Sequence, residues 1–390
     1  MLRKIVYQIH LWLGFITGIV IFFVSLTGCI LAFEDEIKAQ VEDFHHISKS
    51  ANRFQSIAAI RQAAAKAMPF DVEKMGCRID LRGGHKSALV MFFGSKGLYY
   101  CYINPYNAEV LRVADMSKDF FRIIRTGHRA LFLGNIGKTL ISYCMLLFVL
   151  IILSGLILWW PKKWKKSQLR SSFKIKWTAG SKRLNYELHK ILGFYTLIPA
   201  LLFAITGLVI GFPWFAQTYF HVISGGGGLI TQEKIVSDTL SHLENEYRAI
   251  GFLDTISREH ASNKNEHVAY LLPNLPADPI WIIYNPLIPT FNNLEKRYHR
   301  YFRYYDRNTL KELPSSNIES KPIDQANIAE KLFRMNYDLH TGRVLDIPSK
   351  IFVFVASLIC SSLPITGFLM WKNRRFKVRK KRNLPIHKTI

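Results

Sequence analysis

The sequence predicts an integral membrane protein, mainly α-helical, with four transmembrane helices as two tandem repeats and two external α+β inserts. The first observation behind this prediction is a set of four stretches almost free of charged residues: 11–33, 139–160, 191–213 and 351–371. Each is slightly longer than the ~20 residues that an α-helix needs to cross about 30 Å of hydrocarbon. Tryptophans flank these stretches, as is typical of rings at the headgroup level.

The second observation is a duplicated pattern of histidines and small residues. Each of four histidines precedes a Thr-Gly or Ser-Gly step, and each interval occurs twice. The matched positions are His10 with Thr27-Gly28, His189 with Thr206-Gly207, His128 with Ser154-Gly155, and His340 with Thr366-Gly367. Two tandem copies of a membrane unit are related by an axis along the membrane normal, so equivalent positions face each other. The repeats therefore predict a binding site between the two halves.

The third observation is the location of the net charge of +24. Basic residues are concentrated in segments 161–183 and 372–382, and both segments adjoin predicted spans. Because Lys and Arg collect on the cytoplasmic side of membrane proteins, both termini and the middle loop are predicted to be cytoplasmic and the inserts external. Contact with anionic membrane lipid explains this charge, and no nucleic-acid partner is expected.

These boundaries divide the chain into eight expected segments. They are transmembrane helix 1 (1–33), an external domain (34–127), transmembrane helix 2 (128–161), a basic cytoplasmic loop (162–188), transmembrane helix 3 (189–213), a second external domain (214–339), transmembrane helix 4 (340–371) and a basic cytoplasmic tail (372–390). The first external domain is predicted to contain a helix over 56–68 and strands over 76–81, 87–93 and 98–104. The second is predicted to contain a helix over 233–249 and strands over 267–272, 280–284 and 298–305.

The cysteines show no metal-binding spacing. Cys29 follows Leu26-Thr-Gly and resembles a lipoprotein cleavage site, but the apolar run continues to Phe33, so a retained helix is predicted. Cys77 and Cys101 lie on predicted strands of the first insert. They leave two alternatives open: a disulfide in an oxidising compartment or, as we favour, two free thiols.

The four repeated histidines are candidate haem ligands. His10 and His189 stand at the predicted cytoplasmic entrance of spans, whereas His128 and His340 precede spans on the external side. A haem iron with two axial imidazoles is nearly two-fold symmetric, so one duplicated histidine supplies both ligands. Two haem b groups are therefore predicted. The alternative is that these are interfacial histidines that cap helices or bind lipid headgroups.

Other residues near the histidines bear on this hypothesis. Gly14 and Gly193 lie one helical turn from the cytoplasmic pair and would leave room for a macrocycle. Candidate cations for the haem propionates are Arg3, Lys4, Arg129, Lys138 and Lys350. A continuous helix from His128 to Lys138 would place that histidine about 15 Å beyond the bilayer edge. Efficient electron transfer would then need a helix that starts lower, intermediate carriers or different ligands. The other external candidates are His45, His46 and His221.

Several stretches resemble a known family. They are His10-x-Trp12-x-Gly14, the segment from Gly127-His-Arg to Trp160-Pro161, and the turn Tyr304-Tyr-Asp-Arg-Asn-Thr309. Together they look like the PepSY-associated transmembrane helix proteins, which include iron-regulated bacterial inner-membrane proteins and ferric-siderophore reductases. The resemblance implies four spans, PepSY-like periplasmic domains and, in the reductases, haem on histidines matching His10, His128, His189 and His340. The sequence departs from the pattern at His340-Thr-Gly, where the second copy lacks the His-Arg of the first.

Two functions from different classes follow as hypotheses. The first is a haem-containing reductase of the bacterial inner membrane that passes electrons to a periplasmic ferric siderophore or other iron chelate. Its electrons would come from quinol or a cytoplasmic reductase, because the chain has no nicotinamide or flavin motif. The alternative is a non-redox scaffold or regulator that binds a protein partner. A transporter of iron chelates is the third option, and four spans are few for such a pathway.

Overall fold

The computed structural model describes residues 1–48, 50, 53–72, 75–93, 98–161, 165–229, 234–238, 246–261, 266–273, 275, 277–286 and 296–382. The helices of these segments are α1 (Leu2–Ala32), α2 (Glu34–Val41), α3 (Ile57–Ala67), α4 (Phe120–Ala130), α5 (Gly134–Trp159), α6 (Lys166–Phe173), α7 (Ser181–Tyr195), α8 (Leu197–Gly211), α9 (Pro213–Ile223), α10 (Glu246–Ala261), α11 (Ile328–Arg334), α12 (Asn336–Thr341) and α13 (Ile347–Arg382). The strands are β1 (Cys77–Leu81), β2 (Ala88–Phe92), β3 (Tyr99–Ile103), β4 (Val110–Asp115), β5 (Glu266–Leu271), β6 (Ile280–Pro286), β7 (Tyr301–Tyr305) and β8 (Glu312–Leu313).

The long apolar helices form a bundle of membrane-spanning type. In the described segments, α1, α5 and α13 as far as Arg375 are each long and apolar enough to cross a membrane. The bent pair α7 and α8 would supply a fourth crossing if the two helices form one span. Helix α1 packs against α5 and α13, and α13 also packs against α7. We call the end of the bundle next to Ala32 and Gly134 the sheet end, and the opposite end, next to Trp159 and Arg374, the basic end.

The third apolar stretch is not the continuous helix that its composition predicts. Helices α7 and α8 meet at Thr196 with a bend of 60°. Pro199 explains the break, because it has no N–H to donate to the carbonyl of Tyr195 four residues earlier. The bend leaves His189 on α7 and Thr206 on α8, so the two parts of this repeat lie on separate helices.

The chain also breaks just before α5. Leu131 and Phe132 adopt left-handed backbone conformations, with φ of 48° and 61°, and end α4 in a tight turn. The expectation that a continuous helix would carry His128 about 15 Å away from the bundle is therefore wrong. Helix α4 folds back instead and packs against α1. A comparable turn around Gly342, with φ of 74°, separates α12 from α13.

The two inserts build one antiparallel sheet rather than a sheet each. Its strand order is β4-β3-β2-β1-β5-β6-β7-β8, and the inserts join where β1 pairs with β5, for example Ile79 opposite Tyr270. Helices α3 and α10 cover one face, where Ile57, Ile60 and Leu253 are fully buried. Alternating apolar residues on the strands supply the other side of this core, as expected for a sheet covered on one face.

Most predicted strands are present, with two differences in the second insert. The strand predicted over 298–305 begins only at Tyr301, because residues Arg297–His299 form a 3₁₀ turn. The helix predicted over 233–249 is displaced toward the C-terminus: residues 234–238 are not helical, 239–245 lie outside the described residues, and α10 begins at Glu246. Cys77 and Cys101 form no disulfide with each other. They lie on β1 and β3 with β2 between them, about 10 Å apart by strand spacing, which is too far for a disulfide.

Candidate functional site

The first two predicted ligands, His10 and His189, meet near the basic end of the bundle. Their ring centroids are 6.3 Å apart and the ring planes are nearly perpendicular, at 89°. The Nδ1 atom of His10 lies 2.9 Å from Ser154 Oγ, and that of His189 lies 2.9 Å from Thr366 Oγ1. The two histidines predicted to face each other do meet. The hydroxyl beside each comes from another long helix, α5 or α13, and not from the Thr-Gly step matched with that histidine in the sequence.

The other two predicted ligands, His128 and His340, meet at the sheet end. Their ring centroids are also 6.3 Å apart, with the planes at 62°. The Nδ1 atom of His128 lies 3.0 Å from Thr27 Oγ1, and that of His340 lies 2.8 Å from Thr206 Oγ1. Both histidines sit on the short helices α4 and α12 that fold back against the long ones. Because His10 and Thr27 are 17 positions apart on α1, the two pairs are separated by about 25 Å along the bundle.

The hydroxyl groups fix the tautomer of all four imidazoles. Thr27 donates its hydroxyl hydrogen to Phe23 O at 2.8 Å, and Thr206 donates to Leu202 O at 2.7 Å. Ser154 and Thr366 donate in the same way to carbonyls of their own helices. Each hydroxyl oxygen is then left to accept, so each Nδ1 carries the hydrogen and each Nε2 carries a lone pair. A histidine whose Nδ1–H is held in this way is oriented for metal ligation through Nε2.

A glycine follows each of these hydroxyl residues and makes room for the ring. A Cβ atom on Gly155 would lie 3.3 Å from Cε1 of His10, and one on Gly367 would lie 3.3 Å from Cε1 of His189. At the sheet end the corresponding distances are 3.5 Å from Gly28 to His128 and 3.7 Å from Gly207 to His340. The sequence showed these Thr-Gly and Ser-Gly steps only as repeat markers. The structure shows that each glycine of these steps packs against the imidazole ring of a histidine on another helix.

The ring separation is that of two imidazoles sharing one metal. Two metal–nitrogen bonds of about 2.0 Å, and about 1.1 Å from each nitrogen to its ring centre, place the centroids roughly 6 Å apart. Within the described segments, no three or more His, Cys, Asp or Glu side chains gather into a metal-binding group. Each pair thus offers a metal two protein ligands. A tetrapyrrole iron, which already has four equatorial nitrogens, needs two axial ligands, so the residues present fit a haem.

A cavity of about 390 Å³ lies between the helices at the basic end. His10 and His189 line it, together with Gly14 and Gly193, and its remaining walls are largely apolar. A Cβ atom on Gly14 would meet nothing within 4 Å, and one on Gly193 only Leu363 at 3.9 Å. The expectation that these glycines leave space beside the histidines agrees with this geometry.

Two of the basic residues predicted near the histidines, Arg3 and Lys350, have other partners. Arg3 donates a hydrogen bond to Trp160 O at 2.7 Å. Lys350, whose side chain is 1% exposed, contacts Asp35 at 3.1 Å and Glu36 at 2.8 Å. The proposed role of Lys350 as a propionate ligand is therefore replaced by a role in an ion-pair network. Arg343, three positions after His340, joins this network through Asp35 at 2.7 Å.

The first half of the molecule has a matching ion-pair cluster beside His128. Arg125, three positions before His128, pairs with Glu34 on α2. Asp119 caps the N-terminus of α4 by accepting from Arg122 N at 2.7 Å, and Lys38 pairs with Asp119 at 2.8 Å. The carboxylates of α2 therefore pair with α4, with the turn that follows α12 and with the start of α13, and link these segments at the sheet end.

The sheet contacts the segment that carries His340. Asp338 is fully buried and accepts from the backbone N–H groups of Arg297 at 3.2 Å and Tyr298 at 2.8 Å. These residues form the 3₁₀ turn that leads directly into β7. Lys296 donates to Val344 O at 2.9 Å in the α12–α13 turn. No sequence pattern indicated this connection, because each contact joins residues about 40 positions apart.

The alternative external histidines stay away from the two pairs. His45 packs edge-on against Tyr102 of the sheet, His46 forms a strand bridge to Lys86, and His221 is exposed on α9. His45 accepts from Arg82 at Nδ1, 3.3 Å away, and donates from Nε2 to Glu42 at 2.6 Å. Burial, followed by the nearby Arg82 charge, lowers the pKa of His45 to about 3, which agrees with this neutral tautomer.

One protein-family model covers the part of the chain that carries these features. A model of the PepSY-associated TM region matches residues 7–374, which include both histidine pairs and the whole sheet. The chain belongs to this family. No curated protein matches the chain. Membership of the PepSY-associated TM family therefore confirms the resemblance read from the sequence motifs, and the chemistry of the site rests on the geometry above.

Proposed function

We propose that this chain is a haem-containing reductase of the bacterial inner membrane, passing electrons across the membrane to a ferric siderophore or other periplasmic iron chelate. In this proposal four spans form two tandem repeats, both termini are cytoplasmic, and the sheet lies in the periplasm. The observation that carries it is the presence of two facing histidine pairs, near opposite ends of the same helix α1. A single pair would serve one face of the membrane, whereas two pairs give a route between the faces.

The residues of each pair have separate tasks. His10 with His189, and His128 with His340, would hold the two irons through Nε2, and the Ser and Thr hydroxyls orient the rings. Haem bound at these sites would supply one-electron redox chemistry without any acid, base or nucleophile from the protein. The walls of the cavity at the basic end are mainly apolar, which suits the face of a macrocycle. Electrons would enter there from quinol or a cytoplasmic reductase and leave toward the sheet.

An absorption spectrum of the detergent-purified protein, oxidised and then reduced with dithionite, tests the proposal. We expect a sharp Soret band and resolved α and β bands on reduction, as for low-spin iron with two imidazoles. Replacing His10 and His189 together with alanine should remove about half of the haem per protein, and replacing His128 and His340 should remove the other half. His221→Ala, at an exposed histidine outside both pairs, is the matched control.

The outcomes separate the two functional hypotheses. A colourless protein after expression with ample haem would reject the reductase and favour the non-redox scaffold, for which a co-purifying protein partner is expected. Full haem content in both double variants would reject these histidines as ligands. A coloured protein that loses half its haem in each double variant, and that ferric chelates reoxidise, would support the reductase.

A further inference from the structure

The cavity at the basic end carries charge of one sign only. Of the described residues that line it, Lys190 and Arg374 are cationic and none is Asp or Glu. All other polar groups of the lining are neutral or are the ligand pair itself. An apolar cavity with two uncompensated cations selects a ligand that is largely apolar and carries anionic groups at one place.

Both cations lie where they can reach groups held beside the histidine pair. Lys190 follows His189 directly in α7. The His189 ring packs against Gly367 of α13. Arg374 lies seven positions after Gly367, so it is on the same face of α13 and about 10 Å closer to the basic end. Its guanidinium lies 5.2 Å from the ring centre of Tyr7, one turn before His10 on α1.

Neither cation is neutralised by a carboxylate of the cavity. Lys190 Nζ donates to Ser172 Oγ at 3.2 Å and to Ser171 O at 3.4 Å, which are neutral acceptors on α6. The nearby carboxylate of Glu187 is held by Arg183 at 2.5 Å and by the backbone N–H of Lys176 at 2.7 Å. Among the described residues, Lys190 contacts neutral acceptors and Arg374 contacts the Tyr7 ring, so both cations keep donors for a ligand. An arginine can hold a carboxylate with two parallel hydrogen bonds.

We propose that Lys190 and Arg374 form a carboxylate-binding subsite of this cavity, which holds the paired acidic groups of the apolar macrocycle and points them toward the basic end. This inference rests on the proposed function, because the macrocycle is the haem that His10 and His189 would ligate. The two cations fix which way round the ligand enters, since the opposite orientation would place its carboxylates among the apolar side chains of mid-bundle.

Esterification of the ligand provides the decisive test. The full-length protein, depleted of haem, is titrated with haem and with haem dimethyl ester, whose carboxylates are blocked. The binding step that is absent in His10→Ala/His189→Ala belongs to the cavity. For that step, Lys190→Gln/Arg374→Gln should weaken haem binding at least tenfold and leave binding of the ester close to that of the wild type. Arg375→Gln, the neighbouring exposed arginine, should change neither.

Each other outcome has a definite meaning. Equal weakening of haem and ester, or no weakening of either, would overturn the subsite while leaving haem binding by the histidines in place. A wild-type protein that binds no haem would overturn the proposed function and this inference together. The titration is repeated in phosphatidylcholine vesicles with and without phosphatidylglycerol. A difference between variant and wild type that appears only with phosphatidylglycerol would assign the cations to lipid headgroups and overturn the subsite.

Discussion

The two histidine pairs have the same ring separation but different surroundings. At the basic end the histidines lie on long helices beside an open apolar cavity, with two cations at its edge. At the sheet end they lie on short helices that ion pairs and the sheet hold in place. The same ring separation is thus reached with two different sets of supporting contacts. One pair borders an apolar cavity, and the other is supported by ion pairs and by contacts to the sheet.

This difference assigns separate roles to the two ends within the proposed function. The ligand in the cavity should control the behaviour of the histidine pair at the basic end. Ion pairs and the position of the sheet should control the position of the pair at the sheet end. The contacts of Asp338 with Arg297 and Tyr298 link the segment that carries His340 to the sheet. Nothing comparable connects the described part of the sheet to His10 or His189, which are about 25 Å away along α1.

The largest expected effect concerns the buried lysine of the sheet end. Replacing Lys350 with methionine removes the lysine partner of Glu36 and one of the partners of Asp35, which keeps its ion pair with Arg343. We expect the free energy of unfolding to fall by about 3 kcal/mol, at the lower end for broken buried pairs because both carboxylates keep some contact with water. Unfolding of the purified protein in detergent with increasing dodecyl sulfate, followed by circular dichroism, measures this change.

Lys138→Met is the matched control, because Lys138 is an exposed lysine at the same end of the bundle. It should change stability by less than about 0.5 kcal/mol. A loss of similar size in both variants would mean that general surface charge, rather than the buried network, supports the sheet end. The contrast between the two ends of the bundle would then lose its electrostatic basis.

A smaller loss in the free energy of unfolding is expected at acidic pH, again from a residue at the sheet end. The pKa of His45 falls to about 3 in the folded protein, so the neutral form is favoured there. Its stabilising contribution is present above the unfolded value of about 6.5 and is lost as the pH falls from there toward 3. At pH 5 the loss is about 2 kcal/mol relative to pH 7. His45 follows α2, the helix whose carboxylates bind Lys350, so acid should loosen this end first.

Thermal unfolding at pH 7 and pH 5 measures this effect in the wild type and in His45→Gln. The variant should lose most of the pH dependence that His45 contributes, whereas His85→Gln, at an exposed histidine of the same sheet, should retain it. An unchanged pH dependence in His45→Gln would show that His45 does not couple protonation to folding.

The histidine pairs could be predicted because the spacing of the histidines is duplicated. Equivalent positions of two tandem repeats face each other, so the duplication indicates which distant residues lie close together. The three long apolar helices were predictable from composition, and most of the strands from local patterns. Pro199 was a visible signal for the bend at Thr196, but the apolar composition around it outweighed that signal. The left-handed Leu131 and Phe132 had no such signal, since bulky side chains rarely adopt that conformation.

Other features required long-range information that one sequence does not contain. The pairing of β1 with β5 joins residues about 190 positions apart, so each insert looked like a unit of its own. Arg374 lies within the basic C-terminal cluster, where charge was fully accounted for by membrane topology. Its place at the cavity became apparent only from the packing of α13 against α1 and α7.

The smallest predicted effect is a difference in local helix stability between the two histidine-bearing helices of the sheet end. His128 Nδ1 has a second acceptor, Val24 O at 3.0 Å, whereas among the described residues Thr206 is the one acceptor found for His340 Nδ1. Thr206→Val should therefore cost about 1 kcal/mol in the local stability of α12, and Thr27→Val about half as much in α4. Amide hydrogen exchange should accelerate about fivefold over residues 336–341 in the first variant and about twofold over 120–130 in the second. Equal acceleration in both would mean that the carbonyl of Val24 does not share the hydrogen bond of His128, whereas no acceleration in either would mean that the two hydroxyls do not stabilise the short helices.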